Sequence, residues 1–339
     1  MTSVKKNLTT LGYVTINNQH AFSQGKNGFQ ISPRLQELMV YCGTLDTYEN
    51  CNEVIRKFID IEVSATQVHR VTTLYGEEIG KTINEEVILT PSKKDEVMYA
   101  MADGAMVLTR EEGWKEVKVG RIFKGSDCIH AGEKPGWISN SQYVAHLGGH
   151  VEFTSRMEKL LDNYMTQKQL IIFISDGAKW IKNWVEDAYP NAISILDYYH
   201  AVEYLCGFAS KYFTEDEKKE AWVEKQKKLL LQSKVKQVIK NVKALKSSIP
   251  EANTLIDYYQ NNETRMDYAY YQTIGTGLIG SGAIESAHRT VVQKRMKLSG
   301  QRWSNRGAKN MLNLRVTRMN KQWPKIIALT KVDFVKSAA

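Results

Sequence analysis

Leu170-Ile-Ile-Phe-Ile-Ser-Asp176-Gly177 decides the fold class. A short apolar run closed by a turn signal reads as a buried strand, and Asp-Gly marks a sharp turn at its end. A helix follows through Trp180, Ile181, Trp184 and Val185 and stops before Pro190, because the residue ahead of a proline disfavours the α conformation. Ile193-Ser-Ile-Leu196 is then a second buried strand, ending at Asp197. Upstream, Val97-Met-Tyr-Ala-Met-Ala is an apolar run ending at Asp103-Gly104, and Trp114 to Phe123 alternates as a strand does. Asp127 to Asn140, marked by Gly and Pro, reads as loop, and Val144 to Met165 contains a helix through Met157, Leu160, Leu161 and Tyr164. Strand, strand, helix, strand, helix, strand predicts an α/β sheet covered by helices.

Around this centre the chain is helical. Residues 1–30 are polar and read as irregular and poor in strands. From 31 to 90 the apolar positions recur at helical spacing, as in Leu35, Leu38, Met39 and Val40, then Val54, Ile55, Phe58 and Ile59. Ser64 or Thr66 is the N-cap of the next helix. Such a pair of helices fits either a helix-turn-helix or an ordinary bundle. Asp197 to Tyr271 reads as helix after helix, a block inserted into the α/β region. The glycine-rich turn Gly275–Gly282 closes it, and a helix starts near Ile284 and runs to about Lys297.

Composition narrows the function classes. The net charge of the 339-residue chain is +9, and from Glu285 onward thirteen Lys/Arg face only two acids. A basic end on a near-neutral body fits a polyanionic partner, and it equally fits a solvated helix surface. The four cysteines, Cys42, Cys51, Cys128 and Cys206, form no C-x-x-C pair, which argues against a zinc knuckle or a disulfide framework. His130, His146 and His150 do not have the spacing of a zinc site. No apolar run approaches a membrane span. Met1–Thr10 has no apolar core, so neither a signal peptide nor a membrane partner is expected, and a cytoplasmic protein is.

The chemistry-bearing candidates are carboxylates. Asp103 and Asp176 each close an apolar strand and precede a glycine, and strand C-termini border the crevice where α/β sheets bind ligands. A lone Asp-Gly is more often a plain turn; two at equivalent strand ends are harder to dismiss. Glu285 sits in the first turn of its helix, where an acid otherwise only complements the helix dipole. Three carboxylates form a hard-oxygen set suited to Mg²⁺ or Mn²⁺, and two such ions serve in-line phosphoryl displacement. A carboxylate pair also suits glycoside hydrolysis, but the basic C-terminal region favours a phosphate substrate.

Asp103-Gly, Ile-Ser-Asp176-Gly-Ala, Leu-Asp197-Tyr-Tyr-His200-Ala and Gly282-Ala-Ile-Glu285-Ser, followed by Lys294-Arg295-Met and Gln301-Arg-Trp303-Ser, appear in that order. This series resembles the bacterial insertion-sequence transposases of the ISKra type, relatives of the Mutator-like DDE transposases, over roughly Val97 to Asn320. The resemblance implies a ribonuclease H-like core (a mixed sheet flanked by helices) at 93–198 and 276–322, interrupted by an all-helical insertion at 199–275. A helical N-terminal region at 1–92, with possible DNA binding, precedes the core, and a basic tail at 323–339 follows it. It further implies that Asp103, Asp176 and Glu285 hold two Mg²⁺ or Mn²⁺ ions, with Asp197 and His200 as auxiliaries. Asp197 remains a rival for the second ligand position. Arg289, Lys294, Arg295, Lys297 and Arg302 are expected on DNA phosphates. Trp303 is a candidate for stacking on an unpaired terminal base, although a lone Trp is more often core. The implied partners are the double-stranded DNA of transposon ends and target, bound by a homo-oligomer at the bacterial nucleoid. A metal-dependent nuclease on the same fold, or an inactive DNA-binding remnant, are the alternatives.

Overall fold

The computed structural model describes residues 4–9, 12–17, 26–82, 96–131, 134–165, 169–245 and 249–334. In chain order, an antiparallel hairpin of β1 (Val4–Thr9) and β2 (Gly12–Asn17) precedes three helices, α1 (Pro33–Gly43), α2 (Tyr48–Ile59) and α3 (Ala65–Thr82). The strands β3 (Met98–Thr109), β4 (Gly113–Lys124), β5 (Cys128–Ala131), β6 (Lys134–Ile138) and β7 (Gln142–Leu147) follow. Then come α4 (His150–Tyr164), β8 (Ile171–Ser175), α5 (Lys179–Ala188) and β9 (Ile193–Leu196). Five helices succeed them: α6 (Tyr198–Tyr212), α7 (Asp216–Leu231), α8 (Val235–Ala244), α9 (Pro250–Asn261) and the short α10 (Tyr268–Tyr271). The C-terminal part holds α11 (Gly282–Ala287), a π-helical stretch His288–Gln293, α12 (Lys294–Met296), α13 (Asn305–Met319) and α14 (Trp323–Lys331). The protein is thus mixed α/β and mostly helical, with one five-stranded mixed sheet flanked by helices.

The chain divides into two compact units. The first comprises 1–85, 107–115 and 291–339, the second 86–106 and 116–290. Residues 276–290 lie in the second unit, and 107–115 and 291–322 lie in the first.

In the first unit, α1, α2 and α3 pack with α13 and α14 around Met39, Val40, Ile55, Val68, Val71, Ile79, Leu314 and Ile326. Side chains start the helices: Ser32, Thr47 and Ser304 accept from the backbone N–H three residues on. Ser64 and Gln67 close a reciprocal capping box ahead of α3. The fully buried Tyr75 hydroxyl donates to Gln36 Oε1 at 2.8 Å and accepts from Asn27 Nδ2 at 3.0 Å, which satisfies it inside the bundle. One expectation needs correction here: the region before residue 30 contains the β1–β2 hairpin. Of the two readings open for α2 and α3, they belong to the bundle. Residues 323–331 of the expected basic tail form helix α14, with Ile326 fully buried and Trp323 Nε1 donating to Glu37 Oε1 at 2.7 Å, and 335–339 lie outside the described residues.

In the second unit the strand order is β7-β4-β3-β8-β9. A three-residue turn joins β3 and β4, so they run antiparallel. β4 and β7 are also antiparallel, whereas β3–β8 and β8–β9 are parallel. One face carries Met98, Ala100, Ala102, Ile171 and Phe173 and packs on α4 and α5 through Phe153, Met157, Leu161, Ile181 and Trp184. The stretch read as loop contains the β5–β6 hairpin in this unit. The helix expected within Val144 to Met165 is α4, and strand β7, which was not expected, precedes it. β3 does not end at Asp103 but runs through Asp103-Gly104 to Thr109, because β4 lies beside it.

Gly76 on α3 shows how close the packing in the first unit is. A Cβ there would lie 2.6 Å from the backbone oxygen of Asn310 on α13. Gly76→Val is expected to lower stability by about 2 kcal/mol, a typical cost of overpacking, read as a lower urea midpoint. An unchanged midpoint would show that α3 and α13 tolerate separation.

Candidate functional site

The parallel ladders place the aspartates. Ala102 pairs with Ser175, and Ser175 with Leu196. The next residues are Asp103, Asp176 and Asp197, so all three occupy one transverse row, on strands about 4.8 Å apart. Side chains alternate along a strand. Asp103 therefore shares a face with Tyr99 and Met101, opposite the α4/α5 side, and the register carries Asp176 and Asp197 to the same face.

The three carboxyls have different surroundings. Asp103 is partly exposed, at 22% for its side chain, and Oδ1 accepts the Gly104 N–H at 2.7 Å. Asp176 accepts the Ala178 N–H at 3.0 Å. Burial pushes its carboxyl up from the ordinary range and the Asp103 charge adds to that; the Ala178 N–H, His200 and Arg265 oppose it.

Asp197 is fully buried and fully used. It caps α6 by accepting the Tyr199 N–H at 2.9 Å, accepts the Ser281 N–H at 3.0 Å and the Ser281 hydroxyl, and pairs with His200 Nδ1. Burial alone would raise this carboxyl, but the hydrogen bonds from His200, Ser281 and Tyr199 more than offset it and hold it below the ordinary range. The same contact raises His200 to about 9, against the opposing effect of its own burial. His200 is therefore an imidazolium at neutral pH.

Glu285 reaches this neighbourhood on a helix with three anchors. Ser281, bound to Asp197, accepts the Glu285 N–H at 3.2 Å. Arg121 Nη1 donates to Ala283 O at 2.7 Å. His288, one turn beyond Glu285, is 6% exposed and brings Nε2 within 3.1 Å of Asp103 Oδ2, although neither ring nitrogen makes a hydrogen bond. The Glu285 side chain is exposed. Among the described residues, no three His, Cys, Asp or Glu side chains are gathered closely enough to hold a metal ion. The structure thus pairs the row of Asp103 and Asp176 with a helix carrying Glu285, without closing the set.

The turn and the insertion both serve this arrangement. Gly275 and Gly277 have φ of +54° and +73°, and a Cβ on Gly275 would lie 2.4 Å from the Tyr99 hydroxyl, a region and a space that glycine alone tolerates well. From the helical insertion, the buried Arg265 donates through Nη2 to Ser175 Oγ at 2.8 Å and Ile195 O at 3.2 Å, and through Nη1 to Asp176 O at 3.3 Å. It straps the ends of β8 and β9 together. Arg265, Ser281 and His288 are the residues that sequence reasoning missed. The only sequence signal for His288 was its place three residues after Glu285.

The residues expected on DNA separate into two sets. Arg289, Lys294, Lys297 and Arg302 are exposed. Arg295 is fully buried, its guanidinium 4.9 Å from the Tyr48 ring centre and 5.0 Å from that of Trp303, with Nε donating to Gly43 O at 2.7 Å. It satisfies a carbonyl at the C-terminus of α1, where a cation is favoured. Trp303 is 6% exposed and donates to Met296 O at 3.1 Å. Arg295 and Trp303 are interior residues here, which corrects the expectation of surface roles. The exposed tryptophan of that unit is Trp114, at 64%, which lines a groove with Lys297 and Arg302.

The profile of an uncharacterised protein family (UPF0236) matches residues 27–331. The chain belongs to this family. The match spans both compact units of the UPF0236 chain, including all three candidate carboxylates. No curated protein matches the sequence. Among the described residues, no helix is long and apolar enough to cross a membrane, and the four cysteines are free thiols.

The raised Asp176 carboxyl sets a pH-dependent prediction. A carboxyl raised by the fold favours the folded state below that pKa, and the contribution is lost as pH rises through it. Asp176→Asn removes the penalised charge. It is expected to raise the melting temperature at pH 8, with the gain shrinking towards pH 4. A variant less stable than the wild type at both pH values would show that the charge is already compensated.

Proposed function

We propose that this UPF0236 chain is a DDE transposase, a DNA strand-cleaving and strand-joining enzyme acting through Asp103, Asp176 and Glu285. The observation that carries this is the register of the parallel ladders, which sets Asp103 beside Asp176 on one face, with the anchored Glu285 helix against Asp103. The sheet order supports a ribonuclease H-like core: three antiparallel strands followed by two parallel ones, with the carboxylates on the first and fourth strands in chain order. The helical block between Asp197 and the Glu285 helix matches the insertion that the resemblance implies. The ordered series of motifs over the catalytic region favours DNA as the substrate.

The donor set fits divalent magnesium or manganese. Asp103 and Asp176 are hard oxygen donors, and a cation would favour the charged form of Asp176 that burial and the Asp103 charge both disfavour. Asp103, Asp176 and Glu285 would hold two ions, which when bound supply charge neutralisation at the phosphate and a lowered pKa for a bound hydroxyl or water. The chain's own residues do the rest. Arg265 fixes the ends of β8 and β9, so Asp176 keeps its place beside Asp197. Asp197 ties β9, α6 and Ser281 together, so the Glu285 helix begins where the aspartates end. The exposed Glu285 side chain completes the set by turning towards the pair. The His200 imidazolium lends positive charge beside Asp176, where a phosphate group approaches. Asp197 is a positioning residue in this reading, because its four hydrogen bonds leave it committed inside the fold. Such positioning and charge stabilisation carry most of the catalysis of phosphoryl transfer.

The exposed cations Arg289, Lys294, Lys297 and Arg302 supply contacts to backbone phosphates. A nuclease that cuts without joining would use the same residues, and a strand-transfer assay separates the two.

The test is cleavage of duplexes carrying the DNA ends that flank the gene, with Mg²⁺ or Mn²⁺. Asp103→Asn, Asp176→Asn and Glu285→Gln are each expected to lose about 100- to 1,000-fold in rate while binding DNA. Asp197→Asn is expected to lower the melting temperature and retain part of the activity. An inactive Asp197→Asn beside an active Asp176→Asn would reverse the assignment, and binding without cutting by the wild type would leave a DNA-binding remnant. Separately, Lys297→Ala and Arg302→Ala are each expected to reduce the log–log salt slope of DNA binding by about one, whereas an unchanged slope would remove that residue from the interface.

A further inference from the structure

The second unit has a groove of about 680 Å³ with unusual walls. On one side stands Trp137 of the β5–β6 hairpin, 56% exposed; Tyr199 of α6, also 56% exposed, lines it as well. The rings that pack the sheet, Tyr99, Phe153 and Phe173, are by contrast at most 1% exposed. Two large aromatic faces left open along one groove expose apolar area that a planar partner would cover. The glycine-rich turn lines the groove with Gly277, Gly280 and Gly282 beside the apolar Leu278 and Ile279. Gly280 also makes room for Tyr199: a Cβ would lie 2.3 Å from that ring.

Arg121 gives the groove its polarity. It is 6% exposed, lies over the rings of Phe123 and Tyr143, and is held by Nε to Ser141 Oγ at 2.9 Å and by Nη1 to Ala283 O at 2.7 Å. Its Nη2 makes no hydrogen bond within the described residues, and no described carboxylate lines the groove. The groove therefore offers two aromatic faces and a fixed donor. Its position relates to the candidate carboxylates through the chain itself. Met101, which lines it, lies two residues before Asp103 on the same face of β3; Tyr199 lies two residues after Asp197; Ser286, also in the lining, follows Glu285.

We propose that this groove holds an unstacked nucleobase of the DNA strand presented to the aspartate row, stacked on Trp137 and Tyr199 with Arg121 donating to its polar edge. The proposal rests on the nucleic-acid reading of the carboxylate site and adds to it a base-holding subsite. Base–aromatic stacking tolerates any base, because each has a π face. The subsite accordingly discriminates unpaired from paired ends, not one sequence from another.

The experiment measures binding of the full chain to two duplexes, in Ca²⁺ to suppress cleavage. One duplex is fully paired; the other carries an unpaired 2-aminopurine at the end nucleotide. The wild type is expected to prefer the unpaired end about tenfold and to quench the 2-aminopurine. Trp137→Ala is expected to abolish both effects while leaving affinity for the paired duplex unchanged, and Trp137→Phe to restore most of each. Equal affinity for both duplexes in the wild type, or a preference and quenching that survive Trp137→Ala, would overturn the subsite while leaving the DNA reading intact. Absence of binding to either duplex would overturn both. Loss of self-association in Trp137→Ala, without loss of base preference, would make the groove an interface between copies of the chain and overturn the assignment.

Discussion

The site depends on where two parallel ladders stop. β3, β8 and β9 are paired so that Ala102, Ser175 and Leu196 form the last common row, and the backbone then presents three aspartates side by side. A one-residue slip of any strand would send its aspartate to the face covered by α4 and α5. The apolar pattern of Ile171, Phe173, Met98 and Ala100 on that covered face is what forbids the slip. The hydrophobic core thus fixes the position of the polar row without touching it.

Three like charges in one row cannot be treated alike. Asp197 is removed from the set by hydrogen bonding: it is fully buried, and His200, Ser281 and the α6 N-terminus use its lone pairs. Asp103 and Asp176 retain open capacity, and the upward push on Asp176 comes first from burial and then from the Asp103 charge. One carboxylate is committed to the fold, and the other two keep lone pairs unused. Buried cations follow a similar rule. Arg265 binds carbonyls at the ends of β8 and β9, Arg295 binds Gly43 O, and Arg315 donates to Thr44 O at 2.8 Å and Val291 O at 3.2 Å. Arg295 and Arg315 thereby satisfy carbonyls at the C-terminal end of α1, where unpaired backbone oxygens gather. The basic C-terminal region is accordingly a mixture of interior arginines and a surface set, which composition alone does not separate.

Much of the centre was legible because its periodicity was strong. The run before Asp176, the strand before Asp197, the helix between them and the helical block from Asp197 to Tyr271 all stand as read. The misses have physical causes. Asp103-Gly104 looked like a strand end, but β4 beside β3 carries the strand on to Thr109. β7 went unread because its apolar residues run on towards α4, with only Gly148-Gly149 as the break between them. The β5–β6 hairpin was hidden by its Gly and Pro residues and its short strands. The strand end at Asp176 and the helix start before Glu285 were readable from position, whereas Arg265, Ser281 and His288 act through contacts between residues far apart in sequence, which no local pattern records. Trp303 and Arg295 carried the right chemistry for DNA, but a tryptophan that packs an arginine into a bundle looks the same in sequence as one that stacks a base.

The central claim is that Asp103, Asp176 and Glu285 converge on two divalent ions. Its most direct measurement is anomalous diffraction from crystals of the full chain with a DNA end, grown in Mn²⁺ with a non-cleavable phosphorothioate at the end. The account predicts two manganese peaks about 3.5–4 Å apart, bounded by the carboxylates of Asp103, Asp176 and Glu285, with Asp197 still bound to Ser281 and His200. Manganese coordinated by Asp197 in place of Asp176, or an ordered DNA end with no manganese at the row, would contradict it.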